Sequence, residues 1–302
     1  MRNIAFVVGD GIGNQIQTIP AFLCLKEKFP QERISVINSF PTNPIATKLI
    51  FKNIADEIVI LKNTSVDFRQ KYRGQFVMYP MRHKLRGIKV LNNNIKSNRV
   101  PEVEFNLMSV DKKMPTEFFN KSISFFYSIK QNKNCTDIII HNGYSRVSDR
   151  AKKLWKAKSY PYYEQLADVL KSLNLRVGSI GDKKEHVKGT EDFTGLSLSE
   201  SIGVIKGCKI LISNDTASYH IANILGIRNI AIFTFTDTRK NYSSLFHKFT
   251  TIIRREDLPC SPCQFGHDGH FWLKNKNKCL WECRRIPVSD ISKKVIEMID
   301  KK

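Results

Sequence analysis

Residues Lys209–Phe233 read KILISNDTASYHIANILGIRNIAIF, which is an apolar run, a polar turn, a helical pattern and a second apolar run. The apolar residues of the middle part recur at the 3.6-residue period of a helix, and Gly226 follows them as a stop signal. Two strands joined through a helix form the crossover unit of a parallel sheet. The segment therefore predicts a parallel α/β fold.

The polar turn of this segment lies where the first predicted strand ends and the helix begins. Open α/β sheets bind their ligands at this edge, and free N–H groups with the helix dipole favour an anion there. Asn214, Asp215 and Thr216, with His220 one turn into the helix, suit a diphosphate and a sugar. Simple capping of the helix by Asp215 or Thr216 is the alternative, and the two roles can coexist.

The alternation of strand and helix patterns occurs twice, which predicts two parallel α/β domains. A polar stretch at Asn132–Thr136 separates them, so we expect the first domain at residues 1–134 and the second at 135–302. The predicted strands are Ile4–Val8, Ile34–Ile37, Glu57–Leu61, Gln75–Tyr79, Asp137–His141, Arg176–Ile180, Ile210–Ile212 and Ile230–Phe233. The predicted helices are Gln15–Phe29, Thr47–Phe51, Thr116–Lys130, Tyr160–Leu173, Leu198–Lys206 and Ser289–Ile299.

The net charge of +21 indicates a polyanionic environment, such as nucleic acid, an anionic membrane surface or phosphorylated substrates. A lysine-rich composition without selection for binding is the alternative. The segment Arg69–Arg99 contains nine basic residues and no acidic one. No stretch reaches the ~18 uninterrupted apolar residues of a membrane span, and the short apolar N-terminal run resembles a strand more than a signal peptide. We therefore expect a cytoplasmic protein.

Four of the seven cysteines are spaced C-x2-C-x15-C-x3-C, close to the spacing of a four-cysteine zinc site. Disulfides and free thiols are the alternatives, and a reducing cytoplasm disfavours disulfides. Zinc at this segment would be structural. The four candidate ligands are Cys260, Cys263, Cys279 and Cys283.

A glycine-containing turn, Gly9–Asn14, follows the first predicted strand. Its glycines let the backbone approach a ligand closely. The third glycine of a dinucleotide fingerprint is missing in either register, so NAD is rejected. Asp10 is the only carboxylate in the turn and is a candidate general base, although a turn or capping role is equally open.

An ordered set of motifs spanning almost the whole chain resembles glycosyltransferase family 9, the heptosyltransferase family. Gly11–Pro30 and Ser213–Phe233 carry the main likeness. His141-Asn142-Gly143 is similar to the family's H-x-G turn, Lys158–Pro161 to its K-x-W-P segment, Thr194–Leu198 to its T-G-x-x-S/T-L element, Thr236-Asp237 to its T-D pair, and Cys260–Cys283 to a cysteine run of many members.

The resemblance implies a GT-B fold, in which two Rossmann-like domains face a cleft. It implies inverting, metal-independent transfer of a sugar, heptose-like or other, from a nucleotide-diphosphate donor to a cell-surface glycan or lipopolysaccharide-type acceptor. The N-terminal domain would bind the acceptor and the C-terminal domain the donor. The implied donor contacts are His141, Gly143, Asn214, Asp215, Thr216, Ala217, His220, Thr236 and Asp237.

Lys158 would neutralise the departing diphosphate, although an ordinary solvated lysine is the alternative. The implied acceptor side comprises Gly11, Gly13 and the basic segment, with Arg82, Lys84 and Arg86. An anionic glycan or lipid-linked acceptor at the inner face of a membrane suits these charges, and so does a peripheral membrane contact. A solvated, variable surface is the equally open alternative for the basic segment.

The chain departs from the family at the expected position of the catalytic aspartate, which is Asn14 here. An amide cannot act as a base at neutral pH, so Asp10 or another group would replace it. Ala217 replaces a common glycine, which leaves the donor sugar open. A catalytically inactive nucleotide-sugar-binding relative is one alternative. A zinc-bearing nucleic-acid-binding protein is another, but the basic charge is spread over both halves, so no nucleic-acid partner is expected.

Overall fold

The computed structural model describes residues 3–8, 11–38, 44–61, 76–78, 100–123, 125–126, 128–132, 136–144, 156–258, 261–262 and 281–300. The chain divides into two compact units, one of residues 1–125 with 239–246 and one of residues 126–238 with 247–302. None of the helices within the described ranges is long and apolar enough to cross a membrane.

The first unit is built on a parallel sheet of four described strands. These are β1 (Asn3–Val8), β2 (Arg33–Asn38), β3 (Glu57–Ile60) and β4 (Phe76–Met78), in the spatial order β3-β2-β1-β4. The helices are α1 (Ile12–Ile16), α2 (Ile19–Lys28), α3 (Pro44–Phe51), α4 (Glu102–Val110) and α5 (Glu117–Ser122). Fully buried Phe6, Phe22 and Phe51 pack edge to face between sheet and helices, with ring centroids 5.2 Å apart for the first two.

The second unit contains a six-stranded parallel sheet. Its strands are β5 (Ile138–His141), β6 (Val177–Gly181), β7 (Glu191–Thr194), β8 (Ile210–Asn214), β9 (Arg228–Ile232) and β10 (Thr250–Ile253). Its helices are α6 (Tyr163–Ser172), α7 (Leu198–Gly207), α8 (Ala217–Ile224), α9 (Thr238–Asn241, shared with the first unit) and α10 (Val288–Asp300), with 3₁₀ turns at Lys156–Lys158, Lys183–Glu185 and Glu282–Arg284.

The strand order of the second sheet is β7-β6-β5-β8-β9-β10, with every neighbouring pair parallel. In chain order this is 3-2-1-4-5-6, the order of the doubly wound Rossmann sheet. The order reverses between β5 and β8, so the carboxyl ends of these two strands form the topological switch point. Ile138, Ile140, Ile210 and Ile212 are completely buried, as strands covered by helices on both faces require.

The predicted helix over Gln15–Phe29 is wrong in detail, because the structure contains two helices there, α1 and α2. The hydroxyl of Thr18 donates to the carbonyl of Gln15 at 2.7 Å, and Pro20 supplies no N–H to continue the ladder. A new helix therefore begins at Ile19.

The predicted helix over Thr116–Lys130 is also too long, since α5 ends at Ser122. The hydroxyl of Ser122 donates to the carbonyl of Phe118 at 2.7 Å and competes with the helical hydrogen bonds. The sequence reasoning missed α4 and the two edge strands β7 and β10.

A close approach of α7 to the preceding chain requires glycine at position 203. A Cβ built on Gly203 would lie 2.6 Å from the carbonyl oxygen of Lys130. We expect Gly203→Val to lower the free energy of unfolding in urea by about 1–3 kcal/mol more than Ser199→Val, an exposed position of the same helix with the same cost of β-branching. Equal losses would contradict the close approach.

Candidate active site

The switch point brings together residues that the sequence places far apart. His141 ends β5 and pairs in register with Ser213 of β8, which is followed by Asn214, Asp215 and Thr216 before α8 begins. Ligands of open α/β sheets bind in the crevice outside these strand ends. The predicted donor residues of the two strands therefore lie at one edge of the sheet.

The side chain of Asn214 is fully buried and makes four hydrogen bonds. Its Oδ1 accepts from the backbone N–H of Tyr160 and from the hydroxyl of Tyr163, both at 3.0 Å. Its Nδ2 donates to the carbonyls of Asn142 at 3.1 Å and Gly143 at 3.0 Å. Both donors and both lone pairs of the amide are thus used. This arrangement favours a positioning role over direct contact with a ligand.

Lys158 and Asp215 form a buried ion pair at the start of α8. The Nζ of Lys158 lies 3.3 Å from Oδ2 of Asp215, and only 11% and 5% of their side chains are exposed. The alternative of a solvated lysine is therefore wrong. The sequence separates the two residues widely, and only the position of the Lys156–Lys158 turn beside β8 joins them.

The N-terminus of α8 receives no hydrogen bond from the side chain of its N-cap residue, Thr216. The hydroxyl of Thr216 lies instead 3.1 Å from Nδ1 of His141, and the hydroxyl of Ser218 lies 2.7 Å from the same nitrogen. Simple capping by Thr216 is therefore not what the structure contains. Thr216 and Ala217 are half-buried, so this end of the helix is accessible.

A carboxylate that the sequence reasoning missed lies on the other side of His141. Oε2 of Glu185, a buried residue, is 3.6 Å from Nε2 of His141. Gly143 permits this approach, since a Cβ there would lie 2.4 Å from Nε2 of His141 and 2.6 Å from Oε2 of Glu185. A capping box formed by Asp182 and Glu185 holds the carboxylate, and the D-x-x-E spacing was its signal in the sequence.

His220 lies inside the second unit, with 3% of its surface exposed. Its Nδ1 is 2.9 Å from Nε2 of His247, and its ring lies against that of Tyr219 at a tilt of 34°. Burial, and secondarily the positive charge of Lys158, lowers the pKa of His220 to about 3. The imidazole is therefore neutral in the folded protein, and its burial favours a positioning role.

Thr236 and Asp237 follow β9 and are 2% and 1% exposed. The hydroxyl of Thr236 has no hydrogen-bond partner among the described residues. A buried hydroxyl without a partner costs free energy unless water or a ligand satisfies it. Thr236 therefore offers a polar contact just after β9, the strand that neighbours β8.

The glycine turn of the first unit leads directly into α1. Gly11 precedes the helix in an extended conformation, and Gly13 and Asn14 lie within it. A Cβ at Gly11 would be 3.3 Å from Nδ2 of Asn14, so the amide lies over this glycine. Asp10, Arg82, Lys84 and Arg86 lie outside the described residues, and their roles stay predictions.

The structure describes one of the four predicted metal ligands. Cys283 is buried and packs with Ala157 and Phe235. Within the described part of the chain, no group of three or more His, Cys, Asp or Glu side chains could hold a metal ion. Cys260, Cys263 and Cys279 lie outside that part, so zinc binding stays a prediction.

Comparison with known proteins connects this geometry to a family. Residues 127–268, just under half of the chain, match the sequence model of glycosyltransferase family 9 (heptosyltransferase). No curated protein matches the chain.

Solved structures are similar at low sequence identity. The iron-containing dodecameric glycosyltransferase TibC from enterotoxigenic E. coli H10407 is 14% identical, with a TM-score of 0.67 over 99% of this chain and 79% of that one. A family 9 glycosyl transferase from Veillonella parvula is 12% identical, with a TM-score of 0.63 over 100% and 98%. E. coli ADP-heptose lipopolysaccharide heptosyltransferase II is 15% identical, with a TM-score of 0.57 over 85% and 92%.

These structures establish the fold, GT-B, as the sequence predicted. The resemblance to glycosyltransferase family 9 is confirmed over residues 127–268, the part of the chain that matches the family's sequence model.

The low pKa of His220 predicts that acid destabilises the fold. Between about pH 3 and 6.5 the unfolded chain binds a proton that the folded chain does not, so stability falls as the pH drops below 6.5. At pH 5 this single group lowers the free energy of unfolding by about 2 kcal/mol.

We expect His220→Gln to lose less stability than the wild type between pH 7.5 and pH 5 in urea titrations. His186→Gln, at a side chain that is 36% exposed, is the control and should retain the wild-type loss. Equal losses of stability in wild type and His220→Gln would refute the lowered pKa of His220.

Proposed function

We propose that this protein transfers a sugar from a nucleoside diphosphate sugar to an anionic glycan acceptor. The second unit holds the donor at the carboxyl ends of β5, β8 and β9. The observation that carries the proposal is the buried pair of Lys158 and Asp215 beside the accessible N-terminus of α8. A cation and a helix N-terminus together form an anion site.

The charges of this site suit the departure of a diphosphate. Breaking the bond between the anomeric carbon and the donor phosphate develops negative charge on the leaving group. The ammonium of Lys158 and the first N–H groups of α8 stabilise that charge. Asp215 orients the ammonium before the donor arrives, because the ion pair restricts the long side chain of Lys158.

Structures of similar proteins support the proposed identity of the donor's nucleotide and sugar. E. coli heptosyltransferase WaaC has been solved with ADP-2-deoxy-2-fluoro heptose and with ADP, and dodecameric TibC with ADP-D-beta-D-heptose. We infer that an ADP-linked heptose or a related sugar is the donor. The site between β8 and α8 would hold its diphosphate.

The proposals for the general base and for the acceptor rest on the sequence. We assign the role of general base to Asp10, since Asn14 stands where the family has its aspartate and an amide cannot take a proton at neutral pH. A single displacement at the anomeric carbon would then invert its configuration. The basic segment with Arg82, Lys84 and Arg86 favours a phosphorylated or lipid-linked glycan, reached at the inner face of a membrane.

Asn14 also favours a second candidate, a nucleotide-sugar-binding protein without turnover. The two candidates differ in one measurable property. An enzyme releases nucleoside diphosphate in the presence of donor and acceptor, whereas an inactive relative binds the donor and releases none.

Donor binding is tested by calorimetry against ADP, GDP, UDP, CMP and their sugars. We expect saturable binding of one nucleoside diphosphate, weakened about tenfold or more by Lys158→Met, which removes a charged hydrogen bond to the phosphates, and by Asp215→Ala, which removes the carboxylate that orients the ammonium. Lys171→Met is the matched control, since Lys171 pairs with Asp168 on the exposed surface of α6. If the protein bound only an oligonucleotide, with an affinity that falls steeply as the salt concentration rises, the proposal would be wrong.

The base is tested by Asp10→Asn, which keeps the shape of the side chain and removes its basicity. We expect kcat to fall by about 100-fold or more while donor affinity stays unchanged. Unchanged turnover would remove Asp10 from the mechanism, and absent turnover in the wild type with intact donor binding would favour the inactive relative.

We further propose that the four-cysteine segment binds a structural metal. Four thiolates suit zinc and also iron, and TibC is iron-containing. Elemental analysis of the purified chain should give one equivalent of zinc or iron, reduced in Cys260→Ser and unchanged in Cys24→Ser, a buried cysteine of the first unit. Metal-free wild-type protein would contradict the proposal.

A further inference from the structure

Arg284 contacts the turn that carries Lys158. Its Nε donates to the carbonyl oxygen of Ser159 at 2.6 Å, across 125 positions of sequence. Arg284 lies in the short 3₁₀ helix Glu282–Arg284, immediately after the last cysteine of the cysteine segment. A buried or half-buried guanidinium makes a stronger hydrogen bond to a carbonyl than a neutral donor does. This contact therefore fixes the backbone one residue beyond Lys158.

The side chain of Arg284 is itself held in place. Its guanidinium lies over the ring of Trp281, 5.4 Å from the ring centroid. The neighbouring Arg285 is different, because its side chain is 60% exposed and pairs with Glu282 at 3.0 Å on the surface. Two adjacent arginines thus have separate roles, one toward the Lys158 turn and one toward solvent.

Further contacts join the same two segments. The hydroxyl of Tyr160 donates to the carbonyl of Ile286 at 2.9 Å. Cys283 belongs to one buried cluster with Phe235 and Ala157, the residue before Lys158. Residues on both sides of Lys158 are therefore anchored to the short stretch that contains Arg284.

We propose that Arg284 is a positioning residue for Lys158. By holding the carbonyl of Ser159 it fixes the turn that directs the lysine ammonium toward Asp215, where the donor diphosphate would bind. Arg284 acts through the lysine and does not itself touch the donor. The expected effect on donor binding rests on the proposed function. The effect of Arg284 on the position of Lys158 does not depend on it.

Loss of this contact should affect the lysine more than the fold. Without the guanidinium, the turn gains freedom, and the four-carbon stem of Lys158 samples more rotamers. The ammonium then has to be ordered when the diphosphate binds, which lowers affinity. A nucleoside carries no phosphate for Lys158 to neutralise, so its binding should not change.

The test compares Arg284→Ala with Arg285→Ala, the adjacent exposed arginine. Calorimetry measures the affinity for the nucleoside diphosphate that wild type binds and for the corresponding nucleoside. We expect Arg284→Ala to weaken the diphosphate about tenfold and the nucleoside not at all. In a Lys158→Met background, Arg284→Ala should have no further effect. An equal loss in both backgrounds, or a loss matched by Arg285→Ala, would overturn the proposal.

A measurement without ligand separates this inference from the proposed function. Acetic anhydride labels lysines according to their accessibility, and mass spectrometry reads each site. Lys158 should label slowly in wild type and in Arg285→Ala, and several-fold faster in Arg284→Ala, with exposed Lys171 and Lys209 as internal references. Unchanged labelling of Lys158 overturns the inference.

If wild type binds no nucleoside diphosphate, the proposed function fails, while the labelling still decides the role of Arg284. If Arg284→Ala does not fold, Arg284→Lys replaces it, since lysine keeps the charge and the apolar stem but places its donor differently. Faster labelling of Lys158 in that variant supports the role of the guanidinium, and wild-type labelling contradicts it.

Discussion

The buried amide of Asn214 is the interaction on which the candidate site depends. Its four hydrogen bonds join the end of β8 to the loop after β5 and to Tyr160 and Tyr163 at the start of α6. An unsatisfied buried amide would cost several kcal/mol, so these loops have one arrangement in which every donor and acceptor is paired. That arrangement places the Lys158 turn beside Asp215. The ion pair is a consequence of the amide network more than its cause.

The parallel sheet determines where this network lies. Because β5 and β8 are neighbours and the strand order reverses between them, the chain leaves both strands on diverging paths and creates space at their carboxyl ends. His141 and the start of α8 border this space. Charged groups placed there are partly shielded from water, and their interaction with a diphosphate is correspondingly stronger.

A second layer of residues holds the first in place. Glu185 approaches His141, His247 approaches His220, and Arg284 holds the turn of Lys158. None of these three residues belongs to the motifs that indicate the family. Preorganisation of a charged site depends on such supporting contacts, because each fixes a rotamer that would otherwise have to be ordered on binding.

The sequence by itself determined the fold class and most of the elements. Apolar runs such as Ile138–Ile140 and the periodicity of α6 and α8 are local signals, and they predict buried strands and helices directly. The edge strands β7 and β10 were missed because an edge strand has one partner and needs no long apolar run. The polar turn after β8 was correctly located, since a strand that ends before a helix is also a local pattern.

Only the tertiary structure decided which partners those polar residues have. From the sequence, Lys158 could be either a solvated lysine or a phosphate ligand. The buried ion pair with Asp215 shows that Lys158 is not a solvated lysine. Asn214 and His220 stay predicted donor contacts, and the structure adds that their polar atoms already have partners within the protein. These surroundings depend on partners 27 to 125 positions away along the chain. Local patterns carry no information on which distant groups meet, because packing of the whole sheet determines those contacts.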